Sequence, residues 1–146
     1  VASNDSNDHY LYLYLSGNSN SITTKQTGAS KFNESNINGN SNNITNLQSG
    51  TGSKTLFESV TGNNNTITTD QRDSGQDYLD IKLTGSGHTV NATQTGSGNH
   101  AATIDLTNAG GAASVNLTQS GSISQTYSIQ QSCVTPTGCS VTVTQP

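Results

Sequence analysis

The sequence predicts an all-β protein, a β-solenoid of stacked strand-turn-strand rungs with cross-β, amyloid-like pairing. Three observations predict it. One unit recurs five times, as Gly17…Gln26, Gly39…Gln48, Gly62…Gln71, Gly85…Gln94 and Gly110…Gln119. The glutamines of that unit, with Gln145 as a sixth, are spaced by 22, 23, 23, 25 and 26 residues. A period of this size marks stacked supersecondary units. Within the units, side chains alternate with period two, as in Asn20, Ile22, Thr24 and Gln26, the pattern of a strand with one face turned inward.

Composition alone points elsewhere. Only 28% of the 146 residues are hydrophobic, and Asn, Ser, Thr and Gly dominate. Such chains usually cannot bury enough apolar surface to offset their ordering entropy. Periodicity overrides that prior. Charged residues make up 10% and the net charge is −4, so self-repulsion is weak and stacked strands are tolerated. The length fits one domain. Residues 1–9 read as a solvated lead-in and residues 10–146 as the repeat domain, five full units with a half-unit at each end. No apolar run is long enough to span a bilayer. No signal peptide is visible, so the chain reads as the mature form of a longer precursor.

The first strand is Tyr10-Leu-Tyr-Leu-Tyr-Leu15, with strict alternation. Leu11, Leu13 and Leu15 share one face; Tyr10, Tyr12 and Tyr14 share the other. The tyrosines are either good β-formers or a seam against a neighbouring chain. Each repeat then carries two strands. The first runs from the third position to the glutamine, with Asn, a β-branched aliphatic and Gln inward. Turns rich in Gly and Ser follow, such as Thr27-Gly28 and Ser49-Gly50-Thr-Gly52. Glycine permits the positive φ that a tight arc needs. The second strand is looser. Its inward set is Leu79, Ile81, Leu83 and Ala102, Ile104, Leu106. Leu56 and Val60 fit that register, Glu58 does not, and Phe57 is an alternative inward residue. Phe32, Asn33 and Ile37 occupy this strand in the first repeat, one residue shorter. Tyr127, Ile129 and Gln131 occupy it in the fifth. The last strand, Ser140–Gln145, brings Val141 and Val143. Open strand edges at the two ends template another copy. The last strand of one subunit is expected beside the first strand of the next, two half-rungs making one rung.

Stacking turns each repeat position into a column. Gln26, Gln48, Gln71, Gln94, Gln119 and Gln145 form one, whose amides can donate and accept up and down it. Asn20, Asn42 and Asn65 form a second, interrupted at His88 and Ala113, where His88 sits in the column as a substitute for the asparagine. Ile22, Ile44, Ile67, Val90 and Val115 supply the dry contact. Cys133 and Cys139 flank a short turn-forming loop. A disulfide there implies an oxidising compartment; two free thiols are the alternative.

Thr-Val-Asn-Ala-Thr-Gln-Thr-Gly-Ser-Gly-Asn at 89–99 and Ser-Val-Asn-Leu-Thr-Gln-Ser-Gly at 114–121 resemble the curlin repeat. Gln94, Gly96, Gly98, Asn99 and Ala101 match its order. Gln26 with Gly28, Gln48 with Gly50 and Gly52, and Gln119 with Gly121 match in part. Asp105 replaces the second curlin glutamine, and Asp73 replaces the glycine after Gln71. The resemblance implies a secreted subunit of bacterial curli-like amyloid fibres in a biofilm matrix. Its implied partners are further copies of itself, a nucleator subunit and an outer-membrane secretion machinery.

Two other function classes compete. A monomeric binding module for ice, glycan or a surface would use the partial threonine rows Thr66/Thr68, Thr89/Thr93 and Thr142/Thr144, which Lys25, Leu47, Asp70, Asn91 and Asn116 break. An enzyme would have to use the acidic run Asp70, Asp73, Asp77 and Asp80 with Arg72. That spacing lacks a Ca²⁺-loop pattern, and His9, His88 and His100 lack a nucleophile partner. No catalytic role, metal or cofactor is expected. Five scattered Lys and Arg in an acidic chain give no nucleic-acid footprint.

Overall fold

The computed structural model describes residues 8–107 and 111–146. Twelve strands alternate between two six-stranded parallel sheets. The odd strands are β1 (His9–Ser16), β3 (Lys31–Asn38), β5 (Lys54–Thr61), β7 (Asp77–Thr84), β9 (Ala101–Thr107) and β11 (Thr126–Gln131). The even strands are β2 (Ser21–Gln26), β4 (Asn43–Gln48), β6 (Thr66–Gln71), β8 (Thr89–Gln94), β10 (Ala113–Gln119) and β12 (Cys139–Gln145). Each sheet follows chain order, so the fold is a solenoid of six rungs, and no described residue is helical. Most of the expected lead-in, residues 1–7, lies outside the described residues, as does Gly110; β1 begins at His9.

Register is continuous. Gln26 pairs with Gln48, Gln48 with Gln71, Gln71 with Gln94, Gln94 with Gln119, and Gln119 with Gln145. Period-two alternation with one face enclosed fixes it, because a slip of one residue would turn every inward side chain to water. The differences in repeat length are absorbed in turns. The residue missing from the first repeat falls in the turn at 27–30, and β3 pairs with β5 without offset. Lys31, Asn33, Ser35 and Ile37 point inward there, and Phe32 points out.

Close stacking explains two glycine columns. A Cβ on Gly62, at φ +141°, would lie 1.7 Å from the Gly85 carbonyl oxygen. In the other column Asp73 replaces glycine yet keeps φ at 70°, a region Asp tolerates better than most residues.

One expectation is corrected. Glu58 faces inward with Leu56 and Val60, and Phe57 faces out. Its register partners Ser35 and Ile81 are inward, so the two-residue period carries the carboxyl in with them. β1 and β2 make a complete first rung, and β11 and β12 a complete sixth. β12 lies in the sheet of β2, not in that of β1, because strands alternate between sheets along the chain.

The core changes character along the axis. In rungs two and three it includes Asn33, Ser35, Asn46, Glu58 and Thr69. In rungs four and five the same columns hold Leu79, Ile81, Ala92, Ala102, Ile104 and Leu117.

Candidate functional site

The most continuous chemical feature is the glutamine ladder. Gln26 Nε2 donates to Gln48 Oε1 at 2.9 Å, and the chain of bonds continues through Gln71, Gln94 and Gln119 to Gln145 at 2.8–3.0 Å. The second amide hydrogen crosses to the other sheet. It reaches the carbonyls of Tyr10, Phe32, Thr55 and Tyr78 from the first four glutamines. Gln48, Gln71, Gln94 and Gln119 are fully buried, so each bond spares a desolvated amide a cost of about 1–3 kcal/mol. The ladder has a direction. Every rung donates toward the C-terminal end, which leaves an acceptor open at Gln26 and a donor open at Gln145 among the described residues.

The asparagine column runs the opposite way. Asn20 Oδ1 accepts from the Asn42 backbone N–H, Asn42 Oδ1 from Asn65, and Asn65 Oδ1 from His88. His88 does not interrupt the series. Its Nδ1 accepts the Ala113 N–H at 2.9 Å, where an asparagine oxygen would sit. That bond fixes the neutral ring with its proton on Nε2. Burial lowers the His88 pKa. The column ends at Ala113, whose partner in the next rung is Cys139. Cys139 is disulfide-bonded to Cys133, so the last rung closes this corner covalently.

Ile44, Ile67, Val90 and Val115 are fully buried beside these ladders, and Ile22 packs against them from the first rung. A third series was missed in the sequence. The backbone N–H groups of Asn18, Asn40 and Asn63 donate to the side chains of Asn40, Asn63 and Ser86 on the outer turn. The signal was there, an Asn, Asn, Asn, Ser series one residue after each turn glycine.

The opposite corner holds a buried charged column that sequence reading also missed. Lys31 Nζ donates to the carbonyls of Ala29, Gly50 and Gly52 at 2.7–2.9 Å. Lys54 Nζ donates to the Gly75 carbonyl and pairs with Asp77 Oδ2 at 2.8 Å, both side chains fully enclosed. His100 follows, with Nε2 3.0 Å from the Thr95 carbonyl oxygen. Lys31, Lys54 and Asp77 start β3, β5 and β7, and His100 immediately precedes β9; the two lysines donate to buried turn carbonyls.

The end faces differ. On β1, Tyr10, Tyr12 and Tyr14 point out and are about half exposed; Leu13 and Leu15 are 44% and 45% exposed at the open rung. Leu11 is half-buried. At the other end Val141 and Val143 are half-buried and Ile129 is 5% exposed. The Tyr10 ring stacks on Phe32 at 4.9 Å, and Phe57 and Tyr78 continue an aromatic row up the outer face of the odd strands. A depression of about 160 Å³ beside this row, lined by Tyr10, Phe32 and Thr55 among others, is smaller than a typical small-molecule site.

The acidic run does not converge. Asp70 pairs with Arg72 on the surface, Asp73 Oδ2 accepts the Gly96 N–H, and Asp77 is sealed in the core pair. Asp80 lies on the outer face of β7. Among the described residues, no group of three or more His, Cys, Asp or Glu could hold a metal ion. No helix there is long and apolar enough to cross a membrane. No protein-family model, curated protein or solved structure matches this chain.

Proposed function

We propose that this chain is a self-assembling structural subunit of an extracellular, curli-like amyloid fibre that grows by end-to-end stacking of solenoids. The directional glutamine ladder carries the reading, with its open acceptor at Gln26 and open donor at Gln145. Stacking the sixth rung of one copy on the first rung of the next brings these together. The same register sets Val141 over Ile22 and Thr142 over Thr23. On the other sheet it sets Ile129 over Leu13, covering leucines that are nearly half exposed in a single chain. Parallel edges on β1, β2, β11 and β12 have no strand partner among the described residues, and such edges template further pairing. A disulfide suits an oxidising, extracellular setting. The role is mechanical, with no catalysis, and the partner is a second copy.

Electron microscopy of the purified chain at micromolar concentration, with fibre diffraction from the same sample, tests this. Unbranched filaments with a meridional reflection at about 4.7–4.8 Å are expected. A persistent folded monomer would overturn it. That outcome would favour a surface-binding module using the outer face of the even strands, where Thr23, Thr45 and Thr68 align in register with Asn91, Asn116 and Thr142.

A further inference from the structure

The core of rungs two and three contains a carboxyl group with no cation to meet it. Glu58 is 3% exposed, between Leu56 and Val60 on β5. Its Oε2 lies 2.7 Å from Ser35 Oγ and 2.7 Å from Asn46 Nδ2. Its Oε1 is enclosed and has no hydrogen-bond partner. The inward side chains around it are Asn33 and Ser35 on β3, Leu79 and Ile81 on β7, Asn46 on β4 and Thr69 on β6. None titrates. The nearest inward charge on its own strand is Lys54, four residues or roughly 13 Å away. That ammonium is bound to the Gly75 carbonyl and Asp77.

The hydrogens around this group admit two arrangements. Ser35 has one hydroxyl hydrogen but two oxygen neighbours, Asn33 Oδ1 at 2.8 Å and Glu58 Oε2 at 2.7 Å. One hydrogen cannot serve both. A proton on Glu58 Oε2 completes the set. Asn46 Nδ2–H donates to Oε2, Oε2–H donates to Ser35 Oγ, and the Ser35 hydroxyl donates to Asn33 Oδ1. Turning the Asn33 amide round would also supply a hydrogen to Ser35. It would then leave an ionised carboxylate with one oxygen dry and no counter-charge, which is the costlier arrangement.

We infer that Glu58 is a neutral carboxylic acid in the folded chain, and that folding takes up one proton at this position. Burial raises the pKa of this carboxyl above its ordinary 4.5, outweighing the lowering by the Ser35 and Asn46 hydrogen bonds. The sign follows from linkage. An acid whose folded pKa is raised contributes stability that is complete below the unfolded pKa. That contribution is lost as pH rises from about 4.5 through the folded pKa. Raising the pH above about 4.5 therefore withdraws stability contributed at this position.

Equilibrium denaturation of the full chain across pH 4–8, for wild type and Glu58→Gln, tests this alongside infrared spectra of the carboxyl region. The wild-type folding constant, divided by that of Glu58→Gln, should fall by up to about tenfold per pH unit within that window. Glu58→Gln, which mimics the neutral acid, should lack this component and be the more stable protein at pH 7. A protonated-carboxyl C=O stretch should persist in wild type above the pH at which exposed carboxylates ionise. Parallel pH profiles for the two proteins, or a carboxyl band that vanishes with the exposed groups, would overturn the inference. If Glu58→Gln fails to fold, the wild-type spectrum alone decides.

Discussion

Gln71 Nε2 donates to Gln94 Oε1 at 2.8 Å and, with its other hydrogen, to the Thr55 carbonyl at 3.1 Å. One amide thus ties a rung to the next and one sheet to the other. Gln71→Ala removes both bonds and deprives Gln48 Nε2 of its acceptor. Three buried polar groups lose partners and a cavity opens. A loss of about 3–5 kcal/mol is expected in a denaturant titration, at the upper end for a single buried substitution. Gln145→Ala, on the open rung, should cost less than 1 kcal/mol in the same titration but slow filament growth.

Gly62→Ala and Gly87→Ala separate backbone strain from collision. Both glycines have positive φ, at +141° and +75°. The added Cβ at Gly62 strikes the Gly85 carbonyl, whereas at Gly87 the nearest atom is the Ala112 Cβ at 3.6 Å. Gly87→Ala should therefore cost only the conformational term, about 1–2 kcal/mol. Gly62→Ala should cost more than twice that, because backbone in the next rung must move. Thermal melts of the two variants measure the difference.

His88 makes stability depend on pH in the opposite sense to Glu58. Its folded pKa is lowered by burial, so the folded chain resists protonation while the unfolded chain accepts it. The contribution is fully present above about pH 6.5 and is lost as pH falls below that value. His88→Asn restores the oxygen acceptor of the column. The difference in denaturation midpoint between this variant and wild type should widen from pH 6.5 to pH 5 in favour of the variant. A constant difference would sink the assignment.

The Lys54–Asp77 pair should behave as an all-or-none unit. Lys54→Met leaves a buried carboxylate and Asp77→Leu a buried ammonium, each costing about 3–5 kcal/mol. The double variant should recover most of that loss, since neither charge then remains uncompensated. A double-mutant cycle in urea measures the coupling; additive single losses would show that the pair acts independently.

The fold was legible because Gln and Ile recur at fixed offsets from a turn glycine, and stacking requires identical positions to align. The inward face of the even strands followed from Asn20, Ile22, Thr24 and Gln26 alone. The odd strands were harder. Inward Lys31, Lys54 and Glu58 violate the rule that charges face water, and they do so because turn carbonyls, an ion pair and a proton satisfy them. No local pattern announces such partners, which lie more than twenty residues away in sequence for Lys54 with Gly75 and for Glu58 with Ser35. Phe57 looked like a core residue by hydrophobicity, but its place is in the outer aromatic row. The disulfide was legible from its short loop. Its relation to the asparagine column was not, because it depends on Ala113 and Cys139 meeting across a sheet.

The shift from a polar to an apolar interior along the axis gives one molecule two temperature dependences in series. Exposing Leu79, Ile81 and Ile104 raises the heat capacity, whereas exposing Asn33, Ser35 and Asn46 lowers it. The fourth and fifth rungs therefore contribute more to the heat-capacity increment of unfolding than the second and third, which still bury Ile37, Ile44, Leu56, Val60 and Ile67. Cooling weakens the hydrophobic hold of the fourth and fifth rungs while leaving the amide and hydroxyl contacts of the second and third rungs largely unchanged.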